Sequence, residues 1–133
     1  MSTASQVHRT PKTMFWGGWV VSILPAAMLI LSGMMKIFPP QDAIEGFAKL
    51  GWDINLAIVL AVLELGGVLL YLIPQTAVLG AIVLTGYLGG AIATHLRVHE
   101  NGACTMPVIL GVLLWLGLFL RDPRLRELIP IRK

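Results

Sequence analysis

The stretch LAIVLAVLELGGVLLYLI at residues 56–73 decides the fold. Glu64 is its only ionisable residue apart from Tyr71, and polar Asp53, Asn55 and Pro74 bound it. About 20 such residues, each rising 1.5 Å along a helix, cross a bilayer, so the stretch reads as a membrane span. Outward from it, residues 15–35, 77–96 and 106–120 repeat the pattern. The link Pro74-Gln75-Thr76 is so short that the third span must return antiparallel beside the second. Pro25 kinks the first span without ending it, and Arg121-Asp122-Pro123 closes the fourth with a charged stop and a helix breaker.

Composition agrees. The chain has 133 residues, enough for one domain, and 56% of them are hydrophobic against 13% charged. Its mean hydropathy is +0.81. These values place it in a lipid bilayer and exclude a soluble globular domain. The net charge of +3 comes from basic residues scattered between apolar runs, with no stripe for nucleic acid. A single cysteine, Cys104, excludes an intramolecular disulfide, a CxxC pair and a thiolate zinc cage. The expected architecture is all-α: a four-transmembrane-helix bundle over residues 14–121, between a flexible N-tail (1–13) and a basic C-tail (122–133). The first span is too long for the apolar region of a signal peptide and has no small-x-small cleavage site, so it reads as an anchor.

Between the first two spans, residues 39–52 place Ala43, Ile44, Phe47 and Leu50 on one helical face and Asp42, Glu45 and Lys49 on the other. That pattern predicts a short interfacial amphipathic helix, either a solvated connector or a lid over the bundle mouth. Seven basic residues (Arg9, Lys12, Arg121, Arg124, Arg126, Arg132, Lys133) lie on the side of the two tails and three (Lys36, Lys49, Arg97) on the other. The positive-inside rule then puts both termini in the cytoplasm, with Trp16 and Trp19 at the inner interface and Trp52 at the outer.

Glu64 lies mid-span, where a carboxylate costs at least about 2.5 to 3.5 kcal/mol, so it must be protonated, paired or wet. It is about 12 Å in from Leu56. Lys36, His95 and Arg97 end neighbouring spans on that side, and the long bases either reach Glu64 or snorkel to the headgroups. Lys36, Glu64, His95 and Arg97 are therefore the candidate ligand-binding or polar cluster. His95, His99, Glu100 and Cys104 make too mixed a set for a metal site, on a segment expected to unwind by Asn101-Gly102. Gly66 and Gly67, with Gly86 and Gly90, read as helix-packing positions that should tolerate no bulk, or else as a homodimer surface. No phosphate loop, nucleophile elbow or acidic metal loop is present, so no catalytic residue is assigned.

LSGMMKIF at the end of the first span, FAKLGW before the second, LAVLELGGVLLYLIP within it and GYLGGAIATHLR in the third together resemble the DoxX-like family of small four-helix membrane proteins. The resemblance runs from Leu31 to Pro130. It implies a kinship with a thiosulfate:quinone oxidoreductase membrane subunit and with redox-stress complexes; more distant four-helix relatives act as chaperones or sterol-type ligand binders. The expectation is an accessory subunit of a membrane redox complex, offering a quinone or other lipophile a pocket lined by Lys36, Glu64 and His95. An assembly factor contacting client membrane proteins is the alternative, and a small proton-linked transporter the third reading. The lone cysteine, which supplies no redox pair, points away from independent catalysis.

Overall fold

The computed structural model describes residues 10–132, so most of the N-tail and Lys133 lie outside it, and with them the reading of a flexible tail. Among the described residues six α-helices follow in order: α1 (Lys12–Ile37), α2 (Gln41–Leu50), α3 (Leu56–Leu72), α4 (Ala77–Arg97), α5 (Thr105–Arg121) and α6 (Pro123–Leu128). Single 3-10 turns at Pro74–Thr76 and Asn101–Cys104 join α3 to α4 and α4 to α5. Among the described residues there is no strand. α1, α4 and α5 are long and apolar enough to cross a membrane, α4 and α5 counted with the turn before each. The 17 residues of α3 are a shorter apolar helix, roughly 25 Å long. The chain is thus an α-helical integral membrane bundle.

The four long helices form a ring in which α1 packs on α3 and α5, and α4 packs on the same two. Leu29, Val68, Leu84 and Leu114, one from each helix, meet at the centre and are almost wholly buried. α1 continues through buried Pro25 without a break. α3 and α4 turn back sharply because Gly80 has no side chain: a Cβ there would lie 2.6 Å from Tyr71 Cα. α1 and α5 approach as closely, since a Cβ on Gly117 would lie 2.9 Å from the Ser22 nitrogen.

Arg121, read from the sequence as a charged stop, is 7% exposed and buried in the closed end of the bundle, where α3 turns into α4. Its guanidinium donates through Nε to Ser22 Oγ (3.2 Å) and through Nη2 to the Tyr71 carbonyl (3.1 Å). It also stacks over the Trp19 ring at 4.1 Å and the Tyr71 ring at 4.9 Å. The Tyr71 carbonyl belongs to the last turn of α3 and has no helical donor, so Arg121 caps it. The Tyr71 hydroxyl lies 2.5 Å from the Leu114 carbonyl and 3.0 Å from Ser22 Oγ. The C-tail is ordered too. Its α6 buries Leu125, and Arg126 donates to the Phe119 and Leu120 carbonyls and to Thr10 Oγ1, which brings both ends of the described chain together.

Candidate functional site

At the other end of the bundle the helices part. A cavity of about 820 Å³ opens between them, with apolar walls that include Leu29, Leu60, Leu110 and Pro107. α2 lies across it, contributing Phe47 and Leu50, and Trp52 follows from the next turn. No residue of α2 is buried, so the helix rests on the bundle by one face only. Gly51 ends it at φ 78°, a conformation only glycine takes without strain, and Trp52 N–H returns to the Phe47 carbonyl.

The polar groups of the cavity gather around Glu64, which is 1% exposed. Lys36 Nζ donates to Glu64 Oε2 at 2.9 Å and to Ser32 Oγ at 2.7 Å. Tyr87 Oη donates to the same Oε2 at 2.9 Å, and its ring lies 5.7 Å from the Lys36 ammonium. Two donors on one oxygen, one of them an ammonium, is the arrangement of an ionised carboxylate. The other oxygen, Oε1, is buried and has no hydrogen-bond partner. It is the only such side-chain atom among the described residues.

Of the expected cluster, Lys36 and Glu64 meet, and His95 lines the same cavity two turns along α4 from Tyr87. His95 turns to Glu100, with Nδ1 3.1 Å from Oε2. Lys49 of α2 binds the other Glu100 oxygen at 2.7 Å. Hydrogen bonds first from Lys49 and then from His95 hold the Glu100 carboxyl below the usual carboxylate range, and the same contact raises Lys49. The carboxylate accepts, so His95 Nδ1 carries the proton. Arg97 does not join Glu64. It donates to the Leu50 carbonyl at the end of α2, where the helix leaves that acceptor open. Arg97 and the Lys49–Glu100–His95 bridge together fasten α2 over the cavity.

The glycine reading needs correction. Gly67 is a packing position, since a Cβ would meet Leu84 at 2.7 Å, but Gly66, Gly86 and Gly90 have nothing within 4 Å of a Cβ. Gly86 and Gly90 line the cavity wall, and their missing side chains enlarge it. The close helix crossings lie instead at Gly18, Gly80 and Gly117. Tyr87 and Ser32 were missed as site residues. Each carries a sequence signal: Ser32 stands one helical turn before Lys36, and Tyr87 stands two turns before His95 with Ala91 between. A second cleft, about 580 Å³ between α4 and α5, has no ionisable lining residue. Among the described residues no group of three His, Cys, Asp or Glu could hold a metal ion.

No curated protein and no solved structure matches the chain. Residues 20–117, from the first span through most of the fourth, match the model of the DoxX-like family, and the chain belongs to that family.

Proposed function

We propose that the protein binds a lipophilic, quinone-type molecule in the cavity under α2 and serves as an accessory subunit of a membrane redox complex. The observation that carries this reading is the combination of apolar walls with a small polar floor, Lys36, Glu64 and Tyr87, inside the bundle. A pocket of that kind buries an apolar body and orients it through a few convergent polar groups. Leu63, in the middle of α3, and Ile82, in the second turn of α4, line it and are both about half exposed, which opens it to molecules dissolved in the bilayer. The ion pair is sheltered well enough to matter, with Lys36 15% and Glu64 1% exposed.

The test is purification of the full chain from its native membrane. Copurification with a flavin- or quinone-dependent oxidoreductase supports the subunit reading. A set of unrelated client membrane proteins overturns it in favour of an assembly factor. The same reading places both termini in the cytoplasm, following the seven-to-three distribution of basic residues. Reporter fusions at Ser2 and Lys133 should both report the cytoplasmic side, and two extracytoplasmic reports would reverse the orientation.

A further inference from the structure

We propose that the cavity selects a lipophile whose deep end carries a hydroxyl donor, with Glu64 Oε1 as its acceptor, so that of a quinone couple it holds the hydroquinone and discriminates against the oxidised form. This rests on the lipophile-binding reading above and adds to it the chemistry of the buried headgroup.

The inference follows from what the polar floor still has to offer. Glu64 Oε2 is saturated by Lys36 and Tyr87, while Oε1 is buried with no donor. A buried acceptor left unpaired carries its full desolvation penalty, so a ligand that supplies a donor gains more than one that does not. The last torsion of a glutamate is soft, and a small turn of the carboxylate presents Oε1 to the cavity that Glu64 lines. Lys36 has three N–H groups. Two reach Glu64 Oε2 at 2.9 Å and Ser32 Oγ at 2.7 Å, and the third meets only the Ser32 carbonyl at 3.5 Å, the outer limit of a hydrogen bond. The floor therefore offers one strong acceptor and one weakly used donor side by side. A single hydroxyl answers both, because it donates one proton and accepts on its lone pairs. A quinone carbonyl or an ether presents lone pairs only and leaves Oε1 unpaired. A fatty-acid carboxylate would set a second anion beside the first.

The experiment measures saturable binding to the full chain in lipid nanodiscs, kept anaerobic, with each affinity corrected for partition of the probe into the bilayer. The probes are a decylphenol with its methyl ether, and a decyl-substituted hydroquinone with the benzoquinone of the same substitution. Each hydroxyl form should bind about tenfold more tightly than its partner, as expected for a hydrogen bond to a charged acceptor. In Glu64→Gln the amide oxygen stays with the donors Lys36 and Tyr87, which turns the NH2 toward the ligand. The preference should then vanish or reverse in favour of the ether and the benzoquinone. Equal affinities for the two members of each pair in the unmodified protein overturn the inference and leave the lipophile reading intact. An undiminished preference for the phenol in a folded Glu64→Gln variant also overturns it, by removing Glu64 as the acceptor. No saturable binding of any probe overturns both. If Glu64→Gln does not fold, the phenol and ether comparison on the unmodified protein decides alone.

Discussion

The two ends of this bundle are built from the same kinds of residue and put them to opposite uses. Each has glycines, a serine, a tyrosine and a basic side chain inside the helix ring. At the closed end Gly18, Gly80 and Gly117 sit against backbone or a fixed side chain, and Arg121, Ser22 and Tyr71 satisfy one another. At the open end, under α2, Gly86 and Gly90 face open space, and Glu64, Lys36, Ser32 and Tyr87 leave one oxygen over. Full occupancy and full pairing make a structural joint. Open space with one unanswered polar atom makes a place for something else. Polarity inside a membrane bundle is therefore a sign of function only where packing and hydrogen bonding are left incomplete.

The sharpest way to break the contrast is to add bulk at each end. Gly80→Leu should lower stability by roughly 3 kcal/mol, the upper part of the overpacking range, because the atoms in its way are the backbone of α3. Thermal unfolding in detergent measures it, and a melting point equal to that of the unmodified protein would mean that α3 and α4 are not held this closely.

Removing the basic side chain at the closed end comes next. Arg121→Met leaves the Tyr71 carbonyl without its cap and ends two ring contacts, a loss of about 2 kcal/mol by the same assay. An unchanged melting point would show that Arg121 ends its helix without holding the joint.

The open end should respond to pH through the fastening of α2. Glu100 titrates below its ordinary range, so its share of the fastening is complete above that range and is lost as pH falls through the lowered value. Lys49 is raised, so its share is complete below its ordinary 10.5 and is lost only as pH rises through the higher value. The protection factors of the α2 amides, from which the intrinsic pH dependence of exchange is removed, should be highest between these limits and fall a few-fold in acid, and Glu100→Gln should show the lower protection at neutral pH. Identical α2 protection factors at neutral and acid pH would separate α2 from the bridge.

The smallest effect on stability belongs to Gly90→Leu, within about 0.5 kcal/mol, since the new side chain enters the cavity. It should nonetheless abolish saturable binding of the decylphenol. Large destabilisation would return Gly90 to the packing role first read from the sequence.

The difference in legibility between these positions has a physical cause. The spans and the turn at Pro74 were plain because length and apolarity are properties of the chain alone. Glu64 was plain because a mid-span carboxylate is costly anywhere in a helix, and Lys36 because depth limits its reach. The direction in which each residue points around its helix was not legible. In water the outward face of a helix is polar; in lipid it is as apolar as the core. Val62 and Val68 show this: the same residue on the same helix is 65% exposed at one position and 2% at the other. That loss of contrast explains the misassigned glycines, and it explains Arg97, placed at the right depth but turned toward the end of α2. Arg121 ends its helix as the sequence indicates, but its burial was not legible for a related reason, since a base at a span end looks the same whether it meets headgroups or the carbonyl of another helix.

The joint around Arg121 also sets an order of events during synthesis. Ser22 and Tyr71 emerge from the ribosome well before Leu114 and Arg121, which stand 43 and 50 residues after Tyr71. Until α5 arrives, the single proton of the Tyr71 hydroxyl has Ser22 as its acceptor across α1 and α3. At translation rates of about 5–20 residues per second that arrangement lasts roughly 2 to 10 s. The last spanning helix then adds to it, its Leu114 carbonyl offering the hydroxyl a second acceptor and its arginine covering both the serine oxygen and the open end of α3. Two helices thus share a polar contact before the fourth completes the joint around it.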